Sequence, residues 1–252
     1  MIEALRTARA VLRSLRLYYG DRPRRQAMAA LYSDFVGPGD LVFDIGAHVG
    51  DRVAAFRALG ARVVAVEPQP AIARVLRLIY GRDRQVTLVQ AAVGRASGEA
   101  ELMLNVDNPT VSTMSDAFVR AATGSIGWDG QHWAGRLRVP VTTLDALIAE
   151  HGSPAFIKID VEGFEAEVLS GLTAPVPALS FEFTTIQREV AAACLERCVA
   201  LGLTRFGAAL GESQTMTHRT WIDAQEMRAW ILSLPHTANS GDIYAVGPGL
   251  LP

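Results

Sequence analysis

Residues 41–50 read LVFDIGAHVG, and this stretch decides which fold the rest of the sequence favours. Residues 41–45 are an almost wholly apolar run of the kind that forms a buried strand. Gly46 and Gly50 then bracket a tight turn, after which the pattern predicts a helix from Asp51. Glycine suits a turn in which the backbone takes a positive φ or approaches a ligand closely.

A second apolar run at 63–66 predicts another buried strand, which ends at Glu67 and Pro68. Glu67 lies 21 residues after Gly46. In a doubly wound sheet, an acidic residue at about this distance from the glycine turn accepts hydrogen bonds from ribose hydroxyls. The two strands therefore predict a site for an adenosine-containing cofactor. The alternative is an ordinary strand, turn and helix whose glycines only close the turn.

The glycine spacing distinguishes between the possible cofactors. A dinucleotide site favours Gly-x-Gly-x-x-Gly, whose amides hold a pyrophosphate at a helix N-terminus. Here Gly46 and Gly50 are four residues apart, and His48 stands where a middle glycine would be. Asp44 and Asp51 add negative charge, which disfavours a diphosphate but suits the ammonium and sulfonium groups of S-adenosylmethionine. The spacing therefore favours S-adenosylmethionine.

Strands and helices alternate along the rest of the sequence, as in an α/β protein with a mostly parallel sheet. Further strands are predicted at 86–90, 99–105, 138–141, 155–159, 178–183, 204–207 and 243–246. Ligands of such sheets sit at the carboxyl ends of the strands. We therefore expect Asp44, Glu67, Asp160 and Glu162 to gather at one edge. Glu182 lies within an apolar strand, where an acidic side chain needs a partner or a function.

Residues 106–135 contain no long periodic segment, and loops of this length in compact domains are often functional. Ser112, Thr113 and Trp133 are candidates for binding the acceptor, because hydroxyls and aromatic rings suit a sugar or polyol. The alternative is a lid that is packed by its own tryptophans.

Composition favours a single soluble domain of enzyme size. The chain has 252 residues, half of them apolar, and its net charge of −2 predicts no nucleic-acid partner. There is no apolar stretch of the roughly 18 residues that span a bilayer, and no signal peptide is recognisable. Cys194 and Cys198 are expected to be buried thiols. We therefore expect a cytoplasmic protein, either free or at the inner face of the membrane.

The first 25 residues have a net charge of +5, with seven arginines among them. Apolar side chains recur at helical spacing over 2–19. We therefore predict a helical extension at 1–35 and a single catalytic domain at 36–252. The basic helix either packs on the domain with a solvated arginine face, or docks on an anionic membrane or a partner.

A family resemblance rests on four motifs in order: FDIGAHVG at 43–50, EP at 67–68, KIDVEG at 158–163 and SFEF at 180–183. Together they resemble the FkbM family of S-adenosylmethionine-dependent methyltransferases. The resemblance implies a class I methyltransferase fold, Rossmann-like and doubly wound. Its mostly parallel seven-stranded sheet has a final antiparallel strand. It also implies O-methylation of a sugar, polysaccharide or related natural product.

Roles for individual residues follow from this resemblance. The residues expected to bind the cofactor are Asp44, Gly46, His48, Gly50, Glu67, Pro68, Gln69, Ala92 and Asp160. Those expected to act in catalysis are Asp160, Glu162, His48 and Lys158, and those expected to bind the acceptor are Ser112, Thr113, Trp133 and Glu182. No metal is predicted. The alternative is a divalent cation held by Asp160, Glu162 and Glu182.

Two other functions stay open on the sequence alone. One is a nicotinamide-dependent oxidoreductase that uses the same sheet edge, and the other is a non-catalytic scaffold that keeps the cofactor site. The expected partner is a saccharide or small-molecule acceptor. A homo-oligomer is compatible with the sequence.

Overall fold

The computed structural model describes residues 2–249, with side chains from residue 6 onward. In this part of the chain the helices are α1 (Ile2–Gly20), α2 (Arg22–Tyr32), α3 (Asp51–Ala58), α4 (Pro70–Tyr80), α5 (Asp116–Ala122), α6 (Leu144–His151), α7 (Glu165–Ser170), α8 (Arg188–Ala200) and α9 (Ala224–Ser233). The strands are β1 (Leu41–Ile45), β2 (Arg62–Val66), β3 (Val86–Val89), β4 (Ala92–Val93), β5 (Gly98–Leu104), β6 (Gly135–Thr142), β7 (Phe156–Ile159), β8 (Ala178–Thr184), β9 (Arg205–Leu210) and β10 (Ser240–Val246).

The main sheet has seven strands in the order β3-β2-β1-β7-β8-β10-β9. Only β10 runs antiparallel to its neighbours, β8 and β9. The predicted doubly wound fold with a final antiparallel strand is therefore confirmed. Ile45 is in register with Val66 of β2 and with Ile159 of β7. The three strands thus end together, and the residues after them share one edge.

Both faces of the sheet are covered, which explains why its strands are so apolar. Successive side chains of β1 point to opposite faces. Phe43 and Ile45 belong to one hydrophobic cluster, whereas Val42 belongs to the other. Complete burial of a side chain such as Phe43 contributes roughly 1.5–3 kcal/mol. Asp44 interrupts this pattern as a carboxylate on a buried face.

A second sheet, which the sequence does not predict, stands beside the first in the order β4-β6-β5. Strands were expected near β5 and β6, but not their pairing with each other. β4 is only two residues long and pairs in parallel with β6 at Val141 and Thr142. A strand this short has no periodicity, so only its tertiary pairing defines it.

The two N-terminal helices pack against the rest of the protein. Val11 and Leu15 of α1 lie against Val49 and Ile72. The Tyr19 hydroxyl donates to the carbonyl oxygen of Val49 at 3.0 Å. α2 contributes Met28, Leu31 and Tyr32 to the main core.

The segment 106–135 is more ordered than a plain loop. It contains a 3-10 turn at 109–111 and the helix α5, and its own side chains form a small hydrophobic cluster with Phe118, Trp128 and Trp133. Phe118 contacts both tryptophan rings edge to face. This arrangement matches the alternative of a lid packed by its own tryptophans.

Two further expectations concern cysteines and membranes. Cys194 and Cys198 are buried free thiols, as predicted. Among residues 2–249, no helix combines the length and the apolar character needed to span a membrane.

Candidate active site

The glycine turn after β1 is shaped by the neighbouring strand. Gly46 has a φ of +84°, and a Cβ atom there would lie 1.8 Å from the carbonyl oxygen of Asp160. Gly50 has a φ of +85°, and a Cβ atom there would lie 2.6 Å from the Tyr80 ring. Any larger residue would therefore clash with the protein itself. The sequence correctly placed both glycines in a tight turn, but packing within the protein is sufficient to explain them.

Glu67 fixes the conformation of this turn. Its buried carboxylate accepts hydrogen bonds from the backbone N–H of His48 at 3.1 Å and from that of Gln69 at 2.8 Å. Each carboxylate oxygen can accept more than one hydrogen bond. Glu67 can therefore hold the turn and still accept hydrogen bonds from a ligand.

A cavity of about 520 Å³ opens at this edge of the sheet. Many of the predicted site residues line it: Gly46, His48, Glu67, Pro68, Gln69, Ala92, Ser112, Thr113 and Asp160. We refer to this space as the donor cavity.

Other predicted residues lie outside the walls of the donor cavity. They are Asp44, Gly50, Lys158, Glu162, Glu182 and Trp133. Trp133 is buried within the 106–135 segment, and its indole N–H donates to the carbonyl oxygen of Val111 at 2.6 Å. It also lines a separate open cavity of about 870 Å³.

Several cavity residues escaped the sequence analysis. Leu102 and Phe164 give the cavity an apolar wall, and Thr110 and Met114 come from the 106–135 segment. Phe164 directly follows the KIDVEG motif, so its position was a usable signal. Thr110 and Met114 carry no such signal, because only the tertiary fold brings the segment to the cavity.

Asp44 is fully buried, and both of its carboxylate oxygens lack a hydrogen-bond partner. Burial raises its pKa to about 7, against the opposing influence of the Arg52 charge. An unpartnered buried carboxylate is costly unless a ligand, a water or a proton satisfies it. Asp44 thus supports the predicted negative field behind the glycine turn, although it does not line the cavity.

Asp160 is held by two cations. Its carboxylate lies 3.2 Å from the Lys158 ammonium and 3.6 Å from the Arg52 guanidinium. Burial alone would raise the pKa of Asp160, but these two charges outweigh it and leave the pKa lowered. Lys158 is completely buried and also pairs with Asp242 at 2.7 Å. Lys158 is therefore paired with two carboxylates, and its charge helps to keep Asp160 ionised.

The environment of His48 favours the uncharged form of its side chain, whereas that of Asp160 favours the charged form. Burial lowers the pKa of its ring to about 4, so the imidazole is neutral near pH 7. Its Nε2 atom lies 3.4 Å from the Thr110 hydroxyl. The residue has a φ of +44°, a left-handed conformation that asparagine also tolerates.

The walls of the donor cavity fit S-adenosylmethionine better than a dinucleotide. Glu67 and Asp160 are its acidic residues, and in the described part of the chain no arginine or lysine lines it. A pyrophosphate would meet carboxylates there, whereas an ammonium and a sulfonium would be stabilised. Ala92, Val93, Leu102 and Phe164 provide an apolar wall for an adenine ring.

Residues 44–234 match the family model described as the methyltransferase FkbM domain. The chain belongs to the FkbM methyltransferase family. It is an S-adenosyl-L-methionine-dependent methyltransferase. The oxidoreductase alternative therefore falls away. We found no significant match among curated proteins.

Similar solved structures are remote. Precorrin-6y C5,15-methyltransferase from Geobacter metallireducens superposes with a TM-score of 0.43 at 14% identity, over 87% of each chain. The magnesium protoporphyrin IX methyltransferase of Synechocystis, with bound S-adenosylmethionine, gives a TM-score of 0.44 at 12% identity. That match covers 94% of this chain and 83% of the other. We draw no conclusion about the acceptor from likenesses of this size.

We expect the ligand-free FkbM protein to be more stable at pH 5.5 than at pH 7.5. Burial raises the pKa of Asp44, Glu67 and Glu165 to about 7 each. The folded state therefore keeps protons that the unfolded chain loses above about pH 4, so stability falls as the pH rises from about 4 to about 7 and levels off above that. His48 has the opposite effect, because its folded pKa is lowered, but three carboxyls outweigh one imidazole.

Melting temperatures at the two pH values check this expectation. The difference should shrink in Asp44→Asn, which removes one titrating carboxyl, and persist in the surface variant Glu99→Gln. A wild-type protein that melts at a lower temperature at pH 5.5 would contradict it.

Proposed function

We propose that this protein methylates a hydroxyl group of a sugar, a polysaccharide or a related natural product. The observation that carries the proposal is the position of Asp160. Its carboxylate lines the donor cavity and is kept ionised by Lys158 and Arg52. An ionised carboxylate at the reacting end of the cavity suits an acceptor that must lose a proton, as a hydroxyl does.

The proposed chemistry is an in-line displacement. The cofactor supplies a methyl group on a sulfonium. Asp160 accepts a hydrogen bond from the acceptor hydroxyl and holds its oxygen in line with that methyl group. Alignment of this kind provides a large share of the rate in such reactions. Asp160 would take the hydroxyl proton as the new carbon–oxygen bond forms and the carbon–sulfur bond of the sulfonium breaks, with S-adenosylhomocysteine as the leaving group.

A saccharide acceptor is supported by the surface next to the donor cavity. Thr110, Ser112 and Thr113 line the donor cavity, and Val111 between them accepts the indole N–H of Trp133. Trp133 in turn lines the open cavity of about 870 Å³, together with the polar residues Asp129, Gln131 and His132. An extended acceptor that reaches from one cavity to the other would meet an aromatic ring and hydrogen-bonding groups, as sugars require.

A methyl-transfer assay against matched acceptors tests the proposal. We expect transfer to sugars or glycans, with a new methoxy signal in the product, and little transfer to thiols, amines or activated carbon acids. Methylation at carbon or nitrogen would contradict it. Binding of the cofactor without transfer to any acceptor would favour the scaffold alternative.

His48→Asn is expected to lower kcat by less than about tenfold. The loss of a general base typically lowers the rate by about 10²–10⁴-fold, so an effect this small means that His48 is not the base. Burial lowers the pKa of its imidazole to about 4, which makes the ring a weak proton acceptor, and asparagine fits its left-handed backbone. The shape of the rate profile between pH 5.5 and 8 should also be unchanged. A loss of a thousandfold, or the disappearance of an ionisation from the profile, would instead identify His48 as the base.

The two cysteine thiols bear on the cellular compartment in which the reaction takes place. Cys194 and Cys198 are unpaired and buried, and such thiols are usual in a reducing compartment. They support the proposal that the reaction takes place in the cytoplasm.

A further inference from the structure

We propose that Asp160, Glu162 and Glu182 bind a divalent cation with oxygen ligands, such as Mg²⁺ or Mn²⁺, beside the donor cavity. Binding of the ion is independent of the acceptor. Its role in catalysis rests on the proposed function, in which it would also contact the acceptor oxygen.

The geometry suits one shared ion. Asp160 follows β7, Glu162 lies in the turn after it, and Glu182 lies in the neighbouring strand β8. One carboxylate oxygen from each lies within 4.8 Å of the others. Two oxygens that bind one ion at about 2.0–2.6 Å are separated by at most about 5 Å. The three oxygens can therefore ligate a single cation with small side-chain adjustments.

Unpartnered oxygens provide a second, independent observation. Glu162 is only 6% exposed, and its Oε2 atom has no hydrogen-bond partner. The Oε2 atom of Glu182 is buried and unpartnered as well. Buried carboxylate oxygens are nearly always satisfied by a donor or an ion. Two unsatisfied oxygens in one cluster are therefore free to ligate a cation.

Two neutral oxygens extend the cluster. Thr184 Oγ1 and Gln187 Oε1 are also buried without a partner. They line a cavity of about 190 Å³ together with Glu182.

The balance of charges around the three carboxylates also favours a bound cation. Lys158 contacts Asp160 and Asp242, and Arg52 also contacts Asp160. Neither cation forms an ion pair with Glu162 or Glu182 among the described residues. Like charges this close cannot all be ionised without a counter-charge. A cation bound between the three carboxylates would supply that counter-charge.

The turn that carries the ligands is rigid. Thr113 donates its hydroxyl to the carbonyl oxygen of Glu162 at 2.7 Å. Glu165 Oε1 accepts from the N–H groups of Val161 at 3.1 Å and Gly163 at 3.2 Å. A fixed turn reduces the entropy that would be lost when the ion binds. A bound cation at this position would acidify the acceptor hydroxyl.

The test uses the full chain, treated with a chelator, without cofactor or acceptor. Mn²⁺ binding is followed by electron paramagnetic resonance, and Mg²⁺ by competition. We expect one Mn²⁺ per chain, with affinity falling by about tenfold or more in Glu182→Gln and in Glu162→Gln. Glu167→Gln, an exposed glutamate on α7, is the matched control and should bind as the wild type does.

Two results would overturn the proposal. One is the absence of Mn²⁺ binding at millimolar concentration, which would mean that protons occupy the cluster. The other is binding that all three variants retain. Circular dichroism identifies any variant that fails to fold. In that case the measurement on the variant is replaced by a measurement of proton release when Mn²⁺ binds to the wild type, and the absence of proton release would also refute the site. Mn²⁺ binding without hydroxyl methylation would defeat only the proposed function.

A different surface supports a second inference: we infer that the groove between α1 and α4 docks on an anionic lipid bilayer. The groove has a volume of about 1580 Å³ and is lined largely by apolar side chains, among them Val11, Leu12, Leu15 and Leu78. Leu12 is 57% exposed and Leu78 is 85% exposed. An exposed apolar strip of this kind marks an interaction surface.

The positive charge of the two helices favours an anionic bilayer as the partner of the groove. The two helices that form the groove carry five exposed arginines, one of which, Arg74, lines the groove: Arg9, Arg13, Arg16, Arg74 and Arg77. Neither helix has an acidic side chain among its described side chains. Basic residues are attracted to the negative surface of an anionic membrane. An apolar strip flanked by arginines is the pattern of a helix that lies in the membrane interface.

Vesicle flotation with the full chain tests this inference. We expect binding to vesicles containing phosphatidylglycerol but not to pure phosphatidylcholine, and loss of binding in Leu12→Ser/Leu78→Ser. Ile126→Ser, which alters an exposed apolar residue elsewhere, is the control. Absence of flotation would refute the inference, as would a dimer in solution that the double variant abolishes.

Discussion

Asp160→Asn is expected to lower kcat by about a thousandfold or more, while the dissociation constant for S-adenosylmethionine changes little. The effect is large because the carboxylate both aligns the acceptor oxygen and removes its proton. Asparagine has nearly the same shape and still fills the wall of the donor cavity. Stopped turnover with intact cofactor binding, measured by a transfer assay and by calorimetry, would separate a catalytic role from a structural one.

Asp242→Asn is the matched control. Asp242 pairs with the same lysine, Lys158, but is not among the residues that line the donor cavity. Both variants remove one carboxylate partner from a buried ammonium, so both should lower the melting temperature. Only Asp160→Asn should stop turnover. If both variants lose activity equally, Asp160 acts only by balancing the charge of Lys158.

Glu67→Ala is expected to weaken binding of S-adenosylmethionine at least about tenfold. A hydrogen bond to a charged group is worth about 1.5–3 kcal/mol, and each 1.4 kcal/mol is a factor of ten. The variant also frees the backbone N–H groups of His48 and Gln69, which loosens the turn. Calorimetric titration with S-adenosylmethionine measures the change.

Two further variants make the Glu67 result specific. Glu67→Gln keeps the size of the side chain but replaces one acceptor oxygen with a donor, so it should also weaken binding. Glu99→Ala removes an exposed glutamate that pairs with Arg138, and it should leave binding unchanged. An unchanged dissociation constant in Glu67→Ala would remove this residue from the cofactor site.

The main sheet could be predicted from sequence because its signals are local. β1 and β2 are short apolar runs, and the glycine turn and Glu67 mark where they end. Parallel strands end at the same edge, so residues that follow separate strands are expected to lie together. Glu67 and Asp160 line one cavity for this reason.

Other features depend on contacts that no local pattern records. Lys158 and Asp242 are 84 residues apart, and nothing in either segment names the other as its partner. Arg52 looks like any charged residue at the start of a helix, yet it contacts Asp160. The pairing of β4 with β6 likewise follows from the tertiary fold alone.

The glycines show how a correct position can suggest an incomplete reason. The sequence assigned Gly46 and Gly50 to a turn in which the backbone takes a positive φ or approaches a ligand. In the structure, Gly46 lies against the carbonyl oxygen of Asp160 and Gly50 lies against Tyr80, so a side chain at either position would clash. Both glycines lie in the same turn, and the sequence alone shows only that this turn needs glycine.

A crystal structure with S-adenosylhomocysteine tests the central claim most directly. We expect the ligand in the donor cavity, with both ribose hydroxyls within hydrogen-bonding distance of the Glu67 carboxylate and the sulfur directed toward Asp160. A ligand bound elsewhere, or a cavity closed by repacked side chains while the ligand binds in solution, would contradict it.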